Sequence, residues 1–402
     1  MNLTASKKSD LNEIKKELVE AADRLEERLT ALSDDFYHHP ETGLEERRTS
    51  SAMQEFLREH GFSVRNDMAG MPTAFSASFG SGRPAIALLA EMDALPSIGH
   101  GCGHNIAGCA SIGAGAALSQ ILPKVLQPQQ GTVLILGTPA EELGKGKIEM
   151  IKAGIFNGVD AAMMTHGSSK RTVVKHFLGL VRLNFVFTGH ESHASAYPEE
   201  GINALDAVIQ TFNSISALRQ QLRGDVRVHG IITDGGKAPN IIPGRAEASF
   251  YVRARDVKEL ESVKTRVVNC ALGAATATGC RLDAREIGEY NAPMKINNAF
   301  IDIYRNALDF LGLSEDASPP ETNVGSSDIG NVSQIVPAIH PHIPIKTGIN
   351  IHTPEFAAAT VTPDGHRALM EGVKCLGITA VELLLNPETM EKIKKDFNEV
   401  PS

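Results

Sequence analysis

The pattern of apolar positions predicts helices and strands in alternation over the first part of the chain. Apolar residues recur at helical spacing along one face of residues 8–32. Similar helical spacing is found at 48–60, 105–122 and 146–153. Short continuous apolar runs, typical of buried strands, lie at 84–90, 132–136 and 159–164. Strands that alternate with helices favour a mostly parallel sheet with helices on both faces.

The pattern changes after residue 178. Residues 179–290 read as strand, helix, two strands, helix and strand, which is the order of a ferredoxin-like unit. Helical spacing returns at 297–312 and 363–385, and the charged tail 386–402 is expected to pack lightly. The predicted fold class is therefore α/β, with an α+β domain inserted into it. The predicted domains are 1–178 and 291–402 for the two parts of the first domain, and 179–290 for the insertion.

Composition excludes several classes of protein. The 402 residues, 42% hydrophobic and 22% charged, suit a globular chain of two domains. A net charge of -9 argues against a nucleic-acid partner. Five cysteines without a secretory segment argue against a disulfide framework. No stretch approaches the ~18–20 apolar residues of a membrane span, so neither a membrane nor a nucleic acid is expected as a partner. We expect a cytoplasmic protein.

Polar side chains follow three successive strands of the predicted sheet. Cys102 and His104 come after the first, Glu141 and Glu142 after the second, and His166 after the third. In a parallel sheet these strand ends meet at one edge, so the side chains can converge. Thiolate, imidazole and carboxylate together suit a borderline-soft divalent ion such as zinc. The sequence therefore predicts a metal site at this edge.

The adjacent glutamates can take different tasks if the loop bends. One can bind metal while the other acts as a general base towards water, whose pKa a divalent ion lowers from about 15.7 towards 7. Asp93 either orients a ligating histidine or caps a turn, and the sequence leaves both open. In the inserted domain, Asn240 and Arg253 would suit a substrate carboxylate. His193 follows the first strand of that domain.

Five sequence segments together resemble a known family. They are GHGCGHN (99–105), GTPAEE (137–142), GHESHAS (189–195), APNIIP (238–243) and HTPEF (352–356). The pattern is similar to the di-metal amidohydrolases of the aminoacylase and glutamate-carboxypeptidase group, peptidase family M20. The branch includes auxin-conjugate hydrolases, aminobenzoyl-glutamate hydrolases, methicillin-resistance-associated peptidases and dipeptidases acting on dipeptides with a basic C-terminal residue.

The resemblance implies a role for each matching residue. The expected metal ligands are Cys102, His104, Glu142, His166 and His352, holding two divalent ions, zinc or manganese. Glu141 matches the general base, and His193 matches a histidine lent to the partner subunit to stabilise the oxyanion. Asn240 and Arg253 match residues that hold the substrate, and the inserted domain matches a lid and dimerisation domain. His352 is preferred over His340 or His342 as the late ligand because of the HTPEF match.

The expected activity is hydrolysis of the amide bond of an N-acyl amino acid, a dipeptide or an aminobenzoyl-glutamate-like substrate. The resemblance also implies a homodimer, with a tetramer left open. Two alternatives remain. One is a non-catalytic, metal-dependent small-molecule binding protein on the same scaffold, and the other is an endopeptidase.

Overall fold

A computed structural model of the chain describes residues 5–127, 129–317 and 324–400. Among these, residues 5–175, 295–317 and 327–400 form one compact unit, and residues 176–294 with 324–326 form a second. The sequence places the inserted domain at 179–290. The second unit extends a few residues beyond this predicted domain at both ends, and it also includes residues 324–326 from much later in the chain.

The elements follow one another in three groups. The first group comprises α1 (Ala5–Asp23), α2 (Glu26–His38), α3 (Arg47–Glu59), β1 (Ser63–Arg65), β2 (Phe75–Gly82), β3 (Ala85–Glu91), α4 (His104–Val125), β4 (Gln130–Thr138), α5 (Gly146–Lys152), β5 (Ala161–Met163) and β6 (His166–Ser168). The second comprises β7 (Gly179–Thr188), β8 (Ser192–His193), α6 (Ala204–Leu218), β9 (Arg227–Asp234), β10 (Ile241–Ile242), β11 (Arg245–Ala254), α7 (Val257–Thr278) and β12 (Arg281–Glu286). The third comprises α8 (Asn298–Phe310), α9 (Ile329–Ile335), β13 (Ala338–Ile339), β14 (His342–Pro344), α10 (Pro354–Ala359), α11 (Pro363–Leu385) and α12 (Pro387–Glu399).

The first unit is built on a six-stranded sheet in the order β1-β2-β4-β3-β5-β13. Strands β4, β3, β5 and β13 are parallel, whereas β1 and β2 are antiparallel to their neighbours. Every residue of β3 is buried, because this strand lies at the centre of the sheet. The predicted fold class, a mostly parallel α/β sheet with an inserted domain, is confirmed, and the antiparallel strands lie at one edge.

The second unit contains a four-stranded antiparallel sheet in the order β12-β7-β11-β9. Helices α6 and α7 pack on the buried side chains of this sheet. The strand order is the one that a β-α-β-β-α-β chain adopts when each helix crosses over to the sheet, which is the ferredoxin-like arrangement. A short antiparallel ladder of β8 and β10 lies outside this sheet.

Three local expectations differ from the structure. The predicted helix 8–32 is divided, because α1 ends at Asp23 and α2 begins at Glu26, which lets both helices pack against α4. The strand expected at 159–164 ends at Met163, and His166 begins β6, a separate strand that pairs with β14. The tail forms α12 and buries Ile393, so the expectation of light packing is wrong.

Helix α4 corrects the expectation that no segment could span a membrane. By length and composition its 22 residues are apolar enough to do so. However, 83% of its most apolar window is buried inside the structure, as in the core helix of a soluble protein. The hydrophobic surroundings of α4 are therefore supplied by the protein itself, chiefly by α11 and β3.

The Asp160 carboxylate ties α12 to the sheet. Its Oδ1 accepts hydrogen bonds from Arg83 (2.6 Å) and Lys394 (2.5 Å), and its Oδ2 accepts one from the backbone of Ala85 (2.8 Å). Partial burial opposes these bonds, but together they lower the pKa of Asp160. The bonds stabilise the fold above the carboxylate's unfolded pKa of about 3.9.

We expect Asp160→Asn to lower the free energy of unfolding by about 1–2 kcal/mol at pH 7. This value is at the lower end of the range for hydrogen bonds between charged groups, because the side chains of Arg83 and Lys394 are about half exposed. Urea unfolding of the two proteins would measure the difference. Because the folded pKa is lowered, the difference should shrink as the pH falls below about 4. A difference that stays constant at acid pH would contradict the role of this charge.

Candidate active site

The polar groups after β3, β4 and β5 converge in the first unit. The ligand atoms of Cys102, His104 and His166 lie within 4.8 Å of one another, and all three residues are buried. His104 Nδ1 lies 2.8 Å from the carbonyl of Asp93, and His166 Nδ1 lies 2.7 Å from the carbonyl of Gly167. A carbonyl oxygen can only accept a hydrogen bond, so each Nδ1 carries a proton and each Nε2 is the ring atom available to a metal ion.

Electrostatics favours the ligand form of one of these histidines. Burial and the neighbouring His104 lower the pKa of His166 to about 4, so it is neutral at physiological pH. Burial also lowers the pKa of His104, but Glu91 and Asp93 outweigh it and hold the pKa well above its ordinary value. A divalent ion would replace the proton on His104 as the positive charge among these carboxylates.

A second cluster shares one residue with the first. The ligand atoms of Cys102, Glu142 and His352 also lie within 4.8 Å of one another. His352 adopts a φ of 65° and donates its backbone N–H to Gly101 (2.8 Å), which places it beside the cysteine loop. The Cys102 thiol thus belongs to both clusters, as a ligand between two ions would.

Two other late histidines, His340 and His342, lie close to His166 but, among the described residues, do not share a cluster with Cys102. The rings of His340 and His342 lie 5.2 Å from the ring of His166. Burial lowers the pKa of both well below the ordinary value. Within the described part of the chain, neither shares a ligand-distance cluster with Cys102, whereas His352 does.

Two buried carboxylates hold the loop that follows β4 by accepting hydrogen bonds from its backbone. Glu46 accepts the backbone N–H of Ala140 (2.9 Å), and Asp93 accepts that of Glu142 (2.9 Å). Ala140 has a φ of 56°, which bends the chain just before the two glutamates. At Gly146 a Cβ atom would lie 1.7 Å from the carbonyl oxygen of Pro139, so only glycine fits. The bend points Glu141 and Glu142 to the same centre.

Glu141 is placed to act on a proton. Its Oε1 accepts a hydrogen bond from the Ser327 hydroxyl (2.6 Å), and its Oε2 lies 4.0 Å from His104 Nε2. Burial, Glu91 and Asp328 raise the pKa of Glu141 well above its ordinary value. A carboxylate with a raised pKa accepts a proton more readily near neutral pH, which is the property of a general base.

The donor set fits a divalent metal. Glu142 Oε1 and His104 Nε2 are buried and form no hydrogen bond with the residues that the structure describes. Burial and the nearby Glu142 raise the pKa of the Cys102 thiol, so only a strong positive charge would keep it as a thiolate. Sulfur, imidazole and carboxylate ligands in one buried cluster are typical of zinc and related ions.

The second unit brings two of its three predicted site residues together. His193 pairs with Ile241 in the β8–β10 ladder, and the Asn240 carbonyl accepts the N–H of Ala194 (3.0 Å). His193 Nδ1 faces the backbone N–H of Ala196 at 3.3 Å and accepts from it. The proton is therefore on Nε2, and the exposed ring can donate a hydrogen bond.

Arg253 lies on β11, half buried, and donates to the Ser326 hydroxyl (2.9 Å). Burial and the neighbouring Arg182 lower the pKa of its guanidinium. In the described ranges no carboxylate lies within ion-pair distance of Arg253. A half-buried cation beside a second cation is suited to an anionic ligand.

Comparison with known proteins identifies the family. Residues 177–275 match the peptidase dimerisation domain of M20 peptidases. The whole chain is similar to a mouse Xaa-Arg dipeptidase, with 35% identity over 98% of this chain and 94% of the relative. The chain belongs to the M20 peptidase family. The family prediction is confirmed.

Two further similarities agree with this assignment. A p-aminobenzoyl-glutamate hydrolase polypeptide of Escherichia coli is 27% identical over 97% of this chain and 96% of its own. A dinuclear metal-binding M20 peptidase of Bacillus subtilis has the same fold, with a TM-score of 0.72 and 22% identity over 90% of this chain and 99% of its own. The present chain is therefore a metal-dependent amidohydrolase, as its sequence predicts.

One cavity of the first unit lies apart from the candidate metal clusters. It has a volume of 640 Å³, and its lining includes Arg171 and Lys346 but no residue of the metal clusters. Arg171 pairs with Glu371 (2.6 Å) and Lys346 with Asp364 (2.6 Å), so these charges are already neutralised. We therefore place the chemistry at the metal clusters.

Sequence reasoning missed four residues around the glutamate loop: Glu46, Lys147, Ser327 and Asp328. The first lies about a hundred residues before the loop, and the last two lie nearly two hundred after it, so no local spacing connects them. Lys147 gave no distinctive local signal, because Lys145 and Glu149 beside it are also charged.

Proposed function

We propose that the protein is a dipeptidase that cleaves dipeptides with a C-terminal basic residue. The observation that carries the proposal is the 35% identity with the Xaa-Arg dipeptidase, which extends over 98% of the chain and therefore includes both units. A human protein of the same name is 34% identical over 97% of the chain.

We propose two divalent ions, zinc or manganese, held by Cys102, His104, Glu142, His166 and His352. The support is that the two clusters share the Cys102 thiol and together contain all five side chains. When bound, such ions acidify water and polarise the scissile carbonyl.

The remaining steps belong to residues of the chain. Glu141 takes the proton of the attacking water on its free Oε2 and passes it to the leaving amine, while Ser327 holds its Oε1. His193 donates its Nε2–H to the oxyanion in the active site of the partner subunit, the role that the family resemblance implies. Asn240 and Arg253 bind the carboxylate of the departing amino acid.

Activity tests would separate this proposal from its competitors. The enzyme, stripped with a chelator and reloaded with zinc, manganese or cobalt, would be offered Ala-Arg, Ala-Glu, N-acetyl-arginine, p-aminobenzoyl-glutamate and a blocked hexapeptide. The proposal predicts the highest kcat/KM for Ala-Arg and no cleavage before reloading. Preference for p-aminobenzoyl-glutamate, cleavage of the hexapeptide, or tight binding without turnover would each contradict it.

We expect Arg253→Met to raise the KM for Ala-Arg by about 10–100-fold, the value of a hydrogen bond between charged groups. The C-terminally amidated dipeptide lacks the carboxylate, so its KM should be the same in both proteins. Steady-state kinetics with both substrates would test this. Arg285→Met removes an exposed guanidinium of β12 and serves as the control. Equal losses on the acid and the amide would show that Arg253 does not bind the carboxylate.

We propose that the chain forms a homodimer through β9. This strand lies at the edge of the second unit's sheet, and its Ile231 and Ile232 are 65% and 44% exposed. An open edge with exposed isoleucines can pair with a second copy of itself. The matched peptidase dimerisation domain supports this proposal.

We expect Ile231→Glu to convert the dimer, about twice 43.0 kDa, into a monomer, because like charges would face each other across the paired edge. Light scattering after gel filtration would give the mass. Ile335→Glu, at an exposed isoleucine of the first unit, should leave the mass unchanged. A variant at Ile231 that still has the dimer mass would exclude β9 as the interface.

We also propose a cytoplasmic location. The five cysteines are all free thiols, which suits a reducing compartment. Fractionation of the source cells with an antibody against the chain would test this, and recovery in a secreted fraction would contradict it.

A further inference from the structure

A buried lysine lies among carboxylates immediately beside the active site. Oxygens of Glu91, Glu141 and Asp328 lie within 4.8 Å of one another, a grouping that could hold a metal ion. Lys147 Nζ donates to Glu91 Oε1 (2.7 Å) and to Asp328 Oδ1 (2.6 Å). The side chains of these three bonded residues are fully buried. The ammonium group therefore occupies the place where a hard cation would bind.

The lysine is attached to Asp328 twice. Asp328 Oδ1 accepts from the ammonium, and Oδ2 accepts from the backbone N–H of the same lysine (2.9 Å). This double attachment joins the first residues of α5 to the start of α9. Ser327, which directly precedes Asp328, donates a hydrogen bond to Glu141 Oε1. A chain of contacts thus runs from the ammonium to the carboxylate that acts as general base.

The lysine also fixes Glu91. While Oε1 is held by the ammonium, Glu91 Oε2 lies 3.3 Å from Nε2 of the metal-ligand candidate His104. Burying one cation with several carboxylates is costly unless each charge is paired in good geometry, so removal of the ammonium would leave two buried carboxylates without their partner.

We propose that Lys147 occupies a third, permanently filled cation position of the active site and is a positioning residue for Glu91 and Glu141. This inference rests on the proposed role of Glu141 as the base. It assigns the ammonium the task of holding the carboxylates behind the metal clusters, whatever the metal content of the clusters themselves.

The first test counts metal ions and needs no substrate. Lys147→Ala removes the ammonium and leaves space among three carboxylates, which are ligands that manganese prefers. Titration of the full-length protein with Mn²⁺, followed by electron paramagnetic resonance and elemental analysis, should show one more ion per chain than in the wild type. Lys152→Ala is the matched control, because its ammonium is exposed on the same helix and forms an ion pair with Glu149 (2.9 Å). Wild-type stoichiometry in a folded Lys147→Ala protein would overturn the cation position.

The second test measures positioning. The double variant Lys147→Met, Asp328→Asn removes one charge of each sign and so avoids an unpaired buried aspartate. We expect its kcat to fall about 10²-fold, the effect of a misplaced catalytic group, with KM within threefold of the wild type. Ser327→Ala should lower kcat in the same direction without changing the metal count. An unchanged kcat in the folded double variant would overturn the positioning role. Failure of the wild type to cleave dipeptides would refute the proposed substrate, while the metal count would still test the cation position.

Discussion

Replacement of Glu141 by glutamine should lower kcat by about 10³–10⁴-fold, towards the upper end of what general acid–base catalysis contributes. Glutamine keeps the size of the side chain and can still accept the hydrogen bond from Ser327, but it cannot take a proton. Glu141 is not one of the five proposed metal ligands, so we expect the metal content to match that of the wild type. Single-turnover kinetics and elemental analysis of the same preparation would measure both quantities.

The adjacent glutamate provides the matched contrast. Glu142→Gln makes the same chemical change one residue later, in a side chain whose carboxylate lies with Cys102 and His352. We expect this variant to lose metal, and to recover part of its activity when metal is added in excess. If Glu141→Gln lost metal and Glu142→Gln kept it, the two roles would have to be exchanged.

Cys102→Ser should have the second large effect, loss of bound metal together with activity. The thiol belongs to both clusters, so its removal weakens both positions at once, and a hydroxyl is a poor ligand for zinc. Elemental analysis after dialysis should show less than half of the wild-type metal. Loading with cobalt should fail to produce the near-ultraviolet thiolate-to-cobalt absorption band.

Cys109→Ser is the control for that experiment. Cys109 is also a fully buried free thiol on α4, close in sequence, but it lies outside the clusters of ligand atoms among the described residues. This variant should keep its metal and its cobalt spectrum. If Cys102→Ser retained the full metal content, the shared-ligand arrangement would be wrong.

Much of the fold followed from local pattern. The strand β3 and the helix α4 are continuous apolar segments, and such segments have few alternatives to burial. The division between α1 and α2 did not follow, because both sides of the break have the same helical periodicity and only packing against α4 requires the chain to turn. The burial of α12 was missed for a similar reason. Its apolar residues are few, and their burial depends on packing against the distant helices α8 and α11.

Local pattern likewise predicted only some of the residues in the candidate active site. The residues after β3, β4 and β5 could be grouped in advance, because parallel strands carry their carboxyl ends to one edge of a sheet. Lys147 and Asp328 could not be grouped, because their sequence separation is large and a buried ion pair leaves no periodic signature.

By itself, the sequence determined the chemical types available to this protein: a thiol, imidazoles and paired carboxylates at strand ends, and an inserted α+β domain. The tertiary structure decided which of these groups share one centre. It placed His352 rather than His342 in a cluster with Cys102, and it put an ammonium among the carboxylates behind Glu141. The physical reason is that ligand geometry and charge pairing depend on distances of a few ångströms, and such distances between remote segments arise only when the whole chain packs.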